Sequence, residues 1–100
     1  MRICLALLLV LLAGCGAAEP ATRDSLTVGF VYVGARDDYG YNQAHAQGAE
    51  ALKKLQGVRV FDEERVPDTT DVQKTLKSMI ELDGARAVFA TSFNYYDPHV

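Results

Sequence analysis

Downstream of Cys15 the sequence contains no cysteine. Both thiols of the 100-residue chain, Cys4 and Cys15, fall at its start. The rest has nothing for a disulfide, for thiol catalysis or for a zinc–cysteine site. Positive charge is also scarce: ten Lys and Arg face thirteen Asp and Glu, a formal charge of −3. That mild acidity, with no basic patch, offers no electrostatic handle to nucleic acid or an anionic membrane surface. No apolar run reaches the roughly 20 residues that a membrane-spanning helix needs. Phosphate loops are missing too. Gly34 and Gly40 do not form a GxGxxG pattern and no GK[ST] follows, which argues against dinucleotide and P-loop binding. Ser92 lacks the GxSxG context of a nucleophile elbow. His45 and His99 match no metal-ligand spacing, so neither metal nor cofactor is expected.

What is present begins with an apolar run from Ile3 to Leu12, preceded by Arg2 and followed by Ala13-Gly14-Cys15. A positive n-region, a short apolar h-region and small residues before a cysteine have the form of a bacterial lipobox. An ordinary secretory signal cut elsewhere would leave Cys15 without a role. The expectation is therefore a signal peptide over residues 1–14, with Cys15 acylated as the first mature residue. Cutting 14 from 100 leaves 86 residues, and losing Arg2 takes the charge from −3 to −4. Each buried methylene contributes roughly 0.8 kcal/mol, so several acyl chains would hold the protein on the extracytoplasmic face of the cell membrane.

Residues 15–25, small and polar with Pro20, read as a flexible tether. Residues 26–33 (LTVGFVYV) are apolar, β-branched and aromatic almost without interruption, the pattern of a strand buried on both faces. After the polar loop 34–40, a helix is expected over 41–55. Its stripe is Ala44, Gly48, Ala51, Leu52 and Leu55, with Gly57 at the exit. A second strand is expected over 58–66, with Val58, Val60 and Phe61 inward. Pro67-Asp68-Thr69-Thr70 then introduces a helix that buries Val72, Leu76, Met79 and Ile80 and closes at Gly84. A third strand follows over 85–91, and Asp97-Pro98 suits the cap and first turn of another helix. The order βαβαβ predicts an α/β fold with a parallel sheet and right-handed crossovers. Because it stops as a further segment starts, residues 26–100 are expected to be part of an N-terminal lobe, the fragment of a longer protein.

In an open parallel sheet, ligands bind outside the carboxyl ends of the strands. Two loops leave strands there. One carries Asp37, Asp38, Tyr39, Tyr41 and Asn42; the other carries Ser92, Phe93, Asn94, Tyr95, Tyr96 and Asp97. Aromatic faces beside short hydrogen-bonding side chains suit a planar polar ring, which stacks while amides and carboxylates read its edge. Structural roles compete. Asp38 or Asn42 suits a helix cap, Tyr41 a staple, Asp97 an N-cap and Phe93 a core position. Tyr95 and Tyr96 are adjacent, so at most one of them forms a ligand wall. His45, one turn into the helix, is either a polar contact near the cleft or a surface histidine.

Taken together, the lipobox, VGFVYVG, DDYGYNQAHAQG and VPDTTDVQKTLKSMIELDGARAVFATSFNYYDP resemble the basic membrane protein family of lipoproteins, the substrate-binding components of ABC importers. The resemblance spans residues 26–100 in order. It implies one lobe of a type I periplasmic binding protein, two α/β lobes that hold a ligand between them. It also implies a purine or purine nucleoside as solute, with an ABC permease as partner. Carried over residue by residue, it implicates Asp38, Tyr41 as stacking wall, Asn42 as hydrogen-bonding amide, and His45. Ser92, Phe93 and Tyr95 would border the same cleft. The expected protein is a binder and not an enzyme. A sensor lobe signalling through a membrane partner, or an importer of another small polar solute, are the alternatives. A nucleoside hydrolase would need a partner for Asp37 and Asp38. A phosphoacceptor role for that pair is at odds with the lipobox.

Overall fold

The computed structural model describes residues 25–96. The expected signal, Cys15, the tether up to Asp24 and the Asp97-Pro98 cap lie outside them. Strand β1 is Leu26–Val31, helix α1 Tyr41–Lys53, strand β2 Val58–Glu63, helix α2 Thr70–Glu81 and strand β3 Ala87–Ala90, followed by a short 3-10 turn, Phe93–Tyr95. The fold is the expected α/β arrangement. All pairing is parallel, in the order β2-β1-β3, with Val28 opposite Val60 on one side and Ala87 on the other.

Flanked on both edges, β1 is buried from Thr27 to Val31, which its uninterrupted apolar sequence anticipates. Its residues alternate between two cores. Val28, Phe30 and Tyr32 face α1 and meet Ala46 and Ala49, with Leu52, Val58 and Val60 beside them. Val31 faces α2 and meets Val66, Val72, Met79, Ala85 and Tyr95. Gly29 lies on the α2 side, where a Cβ would come within 2.7 Å of Met79 Sδ. Its missing side chain lets α2 sit close on the sheet. Positive φ at Gly57 and Gly84 (80° and 73°) marks the two chain reversals after the helices.

Several expectations shift. The ladder strands are shorter than the apolar runs, because past Val31 and Glu63 the chains part into loops while staying hydrogen-bonded, as in Tyr32 N–H to Glu63 O at 2.9 Å. Helix α1 ends at Lys53, two residues early. Its buried stripe is Asn42, Ala46 and Ala49; Ala44, Gly48, Ala51 and Leu55 are exposed. Both stripes consist largely of small residues, and Asn42 is drawn inward by its hydrogen bonds. In α2, Val72, Thr75 and Met79 are buried while Ile80 is half-exposed. Thr75 holds the inward place because its hydroxyl lies 3.4 Å from Glu63 Oε1.

Candidate functional site

With β1 central, α1 covers one face of the sheet and α2 the other, so β1 and β3 flank the point where the winding reverses. Open α/β sheets bind ligands at the carboxyl edge of such a point. The loop after β1 and the segment after β3 both emerge there; the first carries Asp38 and leads into Tyr41, Asn42 and His45 on α1, and the second carries Ser92, Phe93 and Tyr95.

Asp38 organises the first loop. Its Oδ1 accepts from the N–H of Gly40 at 2.9 Å and of Gln43 at 3.0 Å. Its Oδ2 accepts from Asn42 twice, from the N–H at 3.1 Å and from Nδ2 at 2.8 Å. Gly40 occupies the N-cap position and has no side chain to cap with, so Asp38 supplies the cap from two residues upstream. The backbone bond from Gln43, then the Asn42 side chain, hold the Asp38 carboxyl down at about 2. Tyr39, between Asp38 and Gly40, takes a left-handed φ of 56° and stands almost wholly in solvent. A non-glycine residue in that region marks a loop held by its surroundings.

Asn42 is only 7 % exposed. Its Oδ1 accepts from Gly34 N–H at 3.3 Å while its Nδ2 donates to Asp38, so the amide ties the two ends of the loop together. Tyr41, 56 % exposed, leaves a ring face to solvent, and His45 meets that ring edge-on, the centroids 4.7 Å apart at 71°. The first loop is also tied outward. Arg36 N–H donates to Glu64 Oε2 at 2.7 Å and Arg36 Nη1 to Asp62 Oδ2 at 3.0 Å. Asp62 lies in turn 3.6 Å from Lys53 Nζ, which bonds Glu50 at 2.6 Å. Beside this network the Tyr32 hydroxyl is buried without a hydrogen-bond partner among the described residues. Burial, then the Asp62 charge, push it up to about 12. An open groove of about 520 Å³ runs between α1 and β2 past Arg36, Gln47, Glu50 and Asp62, to the side of the Tyr41 face.

The second segment divides its aromatics. Phe93 is 91 % exposed and Tyr96 nearly as much, while Tyr95 is 1 % exposed. The Tyr95 hydroxyl donates to Val66 O, and its ring belongs to the α2-side core. Ser92, half-buried, opens the 3-10 turn without capping it by its side chain. Asn94 Nδ2 donates to Asp68 Oδ2 at 2.9 Å.

Sequence reasoning missed the loop after β2. Arg65 N–H bonds Gly34 O at 3.0 Å, Val66 O receives Tyr95, and Asp68 receives Asn94. Residues 64–69 thus stand between the two recognised loops and brace both. The signal was the turn composition of Pro67-Asp68-Thr69, read only as a helix start. Among the described residues no three His, Cys, Asp or Glu side chains converge as metal ligands do. The arrangement can stack a flat ring on exposed aromatic faces and offer amide and carboxylate groups at its margin.

No protein-family model matches the chain. It is 33% identical over 87 residues to a purine-binding protein of Brucella abortus (strain 2308), a match that takes in 85% of this chain and 24% of that protein. The chain therefore spans about a quarter of the length of the relative it matches.

Proposed function

We propose that this chain belongs to an extracytoplasmic solute-binding lipoprotein that captures a purine or purine nucleoside and delivers it to an ABC permease. The observation that carries the reading is the solvent-facing Tyr41 ring, fixed beside the Asp38–Asn42 lock at the carboxyl edge next to β3. The similarity to the Brucella purine-binding protein supports the class of solute. In this reading Tyr41 and Phe93 provide apolar faces for the base, and His45 braces Tyr41. Asn42 keeps one N–H and one lone pair beyond those already engaged, enough to read a polar edge. Ser92 borders the same space. Asp38 and Tyr95 act from behind, one ordering the loop and the other filling the core. A second lobe completes the pocket, and the acylated Cys15 keeps the protein beside its permease. No step of chemistry is required of the residues, only binding and release.

The test is a thermal-shift screen of the full-length protein with both lobes, Cys15 replaced by Ser, against purines, nucleosides, pyrimidines, sugars and amino acids. A ligand at 100 times its Kd adds roughly 2.7 kcal/mol of stability, a readily visible rise in Tm. A rise with purines or nucleosides is expected. A rise with sugars or amino acids alone would overturn the assignment of the solute.

A further inference from the structure

The parallel ladder between β1 and β2 is irregular where the two chains leave the sheet. Val31 stands opposite Glu63, and Tyr32 N–H donates to Glu63 O at 2.9 Å. Parallel pairing spaces its bonds evenly, so the donor to Tyr32 O should be Arg65 N–H. It is Val66 N–H instead, at 3.0 Å, and Arg65 N–H goes to Gly34 O, also at 3.0 Å. The β2 side therefore holds one residue more than the β1 side, which is a bulge. Arg65 has the matching backbone, a left-handed φ of 57° that glycine would take at less cost. Bulges recur beside functional sites, where they re-aim the groups around them. Here two groups are re-aimed. Gly34, which receives Arg65 N–H on its carbonyl, gives its own N–H to Asn42 Oδ1 at 3.3 Å. Two hydrogen bonds in line thus join the Arg65 backbone to the amide assigned to the edge of the base. On the other side Val66 O receives the hydroxyl of Tyr95, from the turn that carries Phe93. The exposed Arg65 side chain takes part in neither link.

We propose that Arg65 is a positioning residue for ligand binding: its left-handed bulge fixes the Asn42 amide through Gly34, and the turn bearing Phe93 through Val66. This rests on the purine reading above and adds to it the element that sets both walls at once. An extended backbone at residue 65 would return Arg65 N–H to Tyr32 O, leave Gly34 O without its donor and turn Val66 O away from Tyr95. The backbone at this position carries the role, and the guanidinium does not.

The experiment measures Tm, and Kd for adenine and adenosine by calorimetry, on the full-length protein with both lobes and Cys15 replaced by Ser. Wild type is compared with Arg65→Gly, Arg65→Asn and Arg65→Val. Glycine and asparagine accept a left-handed backbone, whereas β-branched valine resists it. The first two variants should bind within about twofold of wild type, and the valine variant about tenfold more weakly or worse. Hydrogen exchange of the unliganded protein should quicken over residues 34–43 in the valine variant alone. Should that variant not fold, Arg65→Ala replaces it, since alanine is strained there but not β-branched. Equal losses in all variants would assign the effect to the guanidinium, and a lowered Tm with Kd unchanged would leave the bulge a purely structural part. Either result overturns the inference and leaves the purine reading intact. If neither adenine nor adenosine binds wild type, the purine reading falls, and exchange over residues 34–43 still decides whether residue 65 sets the first loop.

Discussion

Asp38 and Asn42 are joined twice through a single oxygen: Oδ2 of the aspartate accepts both the backbone N–H and the side-chain Nδ2 of the asparagine. Two residues that the sequence nominates as separate ligand contacts therefore form one structural unit. Asn42 passes the constraint on to Gly34. The start of β1's loop and the first turn of α1 are thereby set by the same pair.

That unit has an acid signature. With the folded-state carboxyl at about 2, below its unfolded value, Asp38 contributes stability at pH above the ordinary carboxylate range. The contribution fades as pH falls from about 4 toward 2. Subtracting the acid-unfolding profile of Asp38→Asn from that of wild type should leave a difference that shrinks across this window. A difference constant with pH would mean the carboxylate is not held down in the folded state.

Gly34→Ala attacks the same unit from the other side. A Cβ there would lie 2.6 Å from Asn42 Nδ2, and the amide is tied at both ends and cannot swing clear. We expect a loss of about 1–3 kcal/mol in denaturant melts, the usual range for overpacking. Amide exchange at Asn42 and Gln43 should accelerate with it.

Tyr41→Ala should weaken purine binding by about fivefold to a hundredfold, the range that base stacking spans on alanine substitution. Tyr41→Phe keeps the face and should bind like wild type. Equal losses in both variants would show that the hydroxyl, and not the ring, carries the contact.

Tyr95→Phe separates core from pocket. It removes the donor to Val66 O within the buried cluster and should cost about 1–3 kcal/mol of stability. Purine affinity should hold within about twofold, since the ring is enclosed. A large change in Kd with unchanged Tm would place Tyr95 at the ligand.

Gly29→Ala tests the closeness of α2. The new methyl group would press on Met79 Sδ at 2.7 Å and on Val88 at 3.2 Å. Because a methionine side chain adapts, the loss expected in a urea melt is about 1–2 kcal/mol. No loss would mean that α2 rides further from the sheet.

The architecture was legible where pattern and burial coincide. The apolar run 26–33 suits a strand covered on both faces, and Pro67 to Thr70 breaks the pattern and caps the next helix. Helix phase was not legible in α1, where alanines and glycines occur on two faces and composition does not choose between them. What decides is Asn42, whose polarity suggested exposure although its hydrogen bonds draw it inward. The aromatics after β3 posed a similar problem. Phe93, Tyr95 and Tyr96 are all aromatic, and it is the 3-10 turn that directs Tyr95 toward Val66 and leaves its neighbours outside. The bracing role of residues 64–69 depends on backbone bonds between distant loops, which no local pattern encodes.

The alternation along β1 also governs how reliably the sheet assembles. One side of this strand carries Phe30 and Tyr32, and the other carries Gly29 and Val31. In a pairing slipped by one residue, two rings would meet the space that α2 fills down to a glycine, and α1 would be left over a hollow. A strand apolar on both sides would ordinarily accept such an error at little cost. Here the difference in side-chain size between the two faces penalises the slipped pairing, because neither helix can then pack on the sheet.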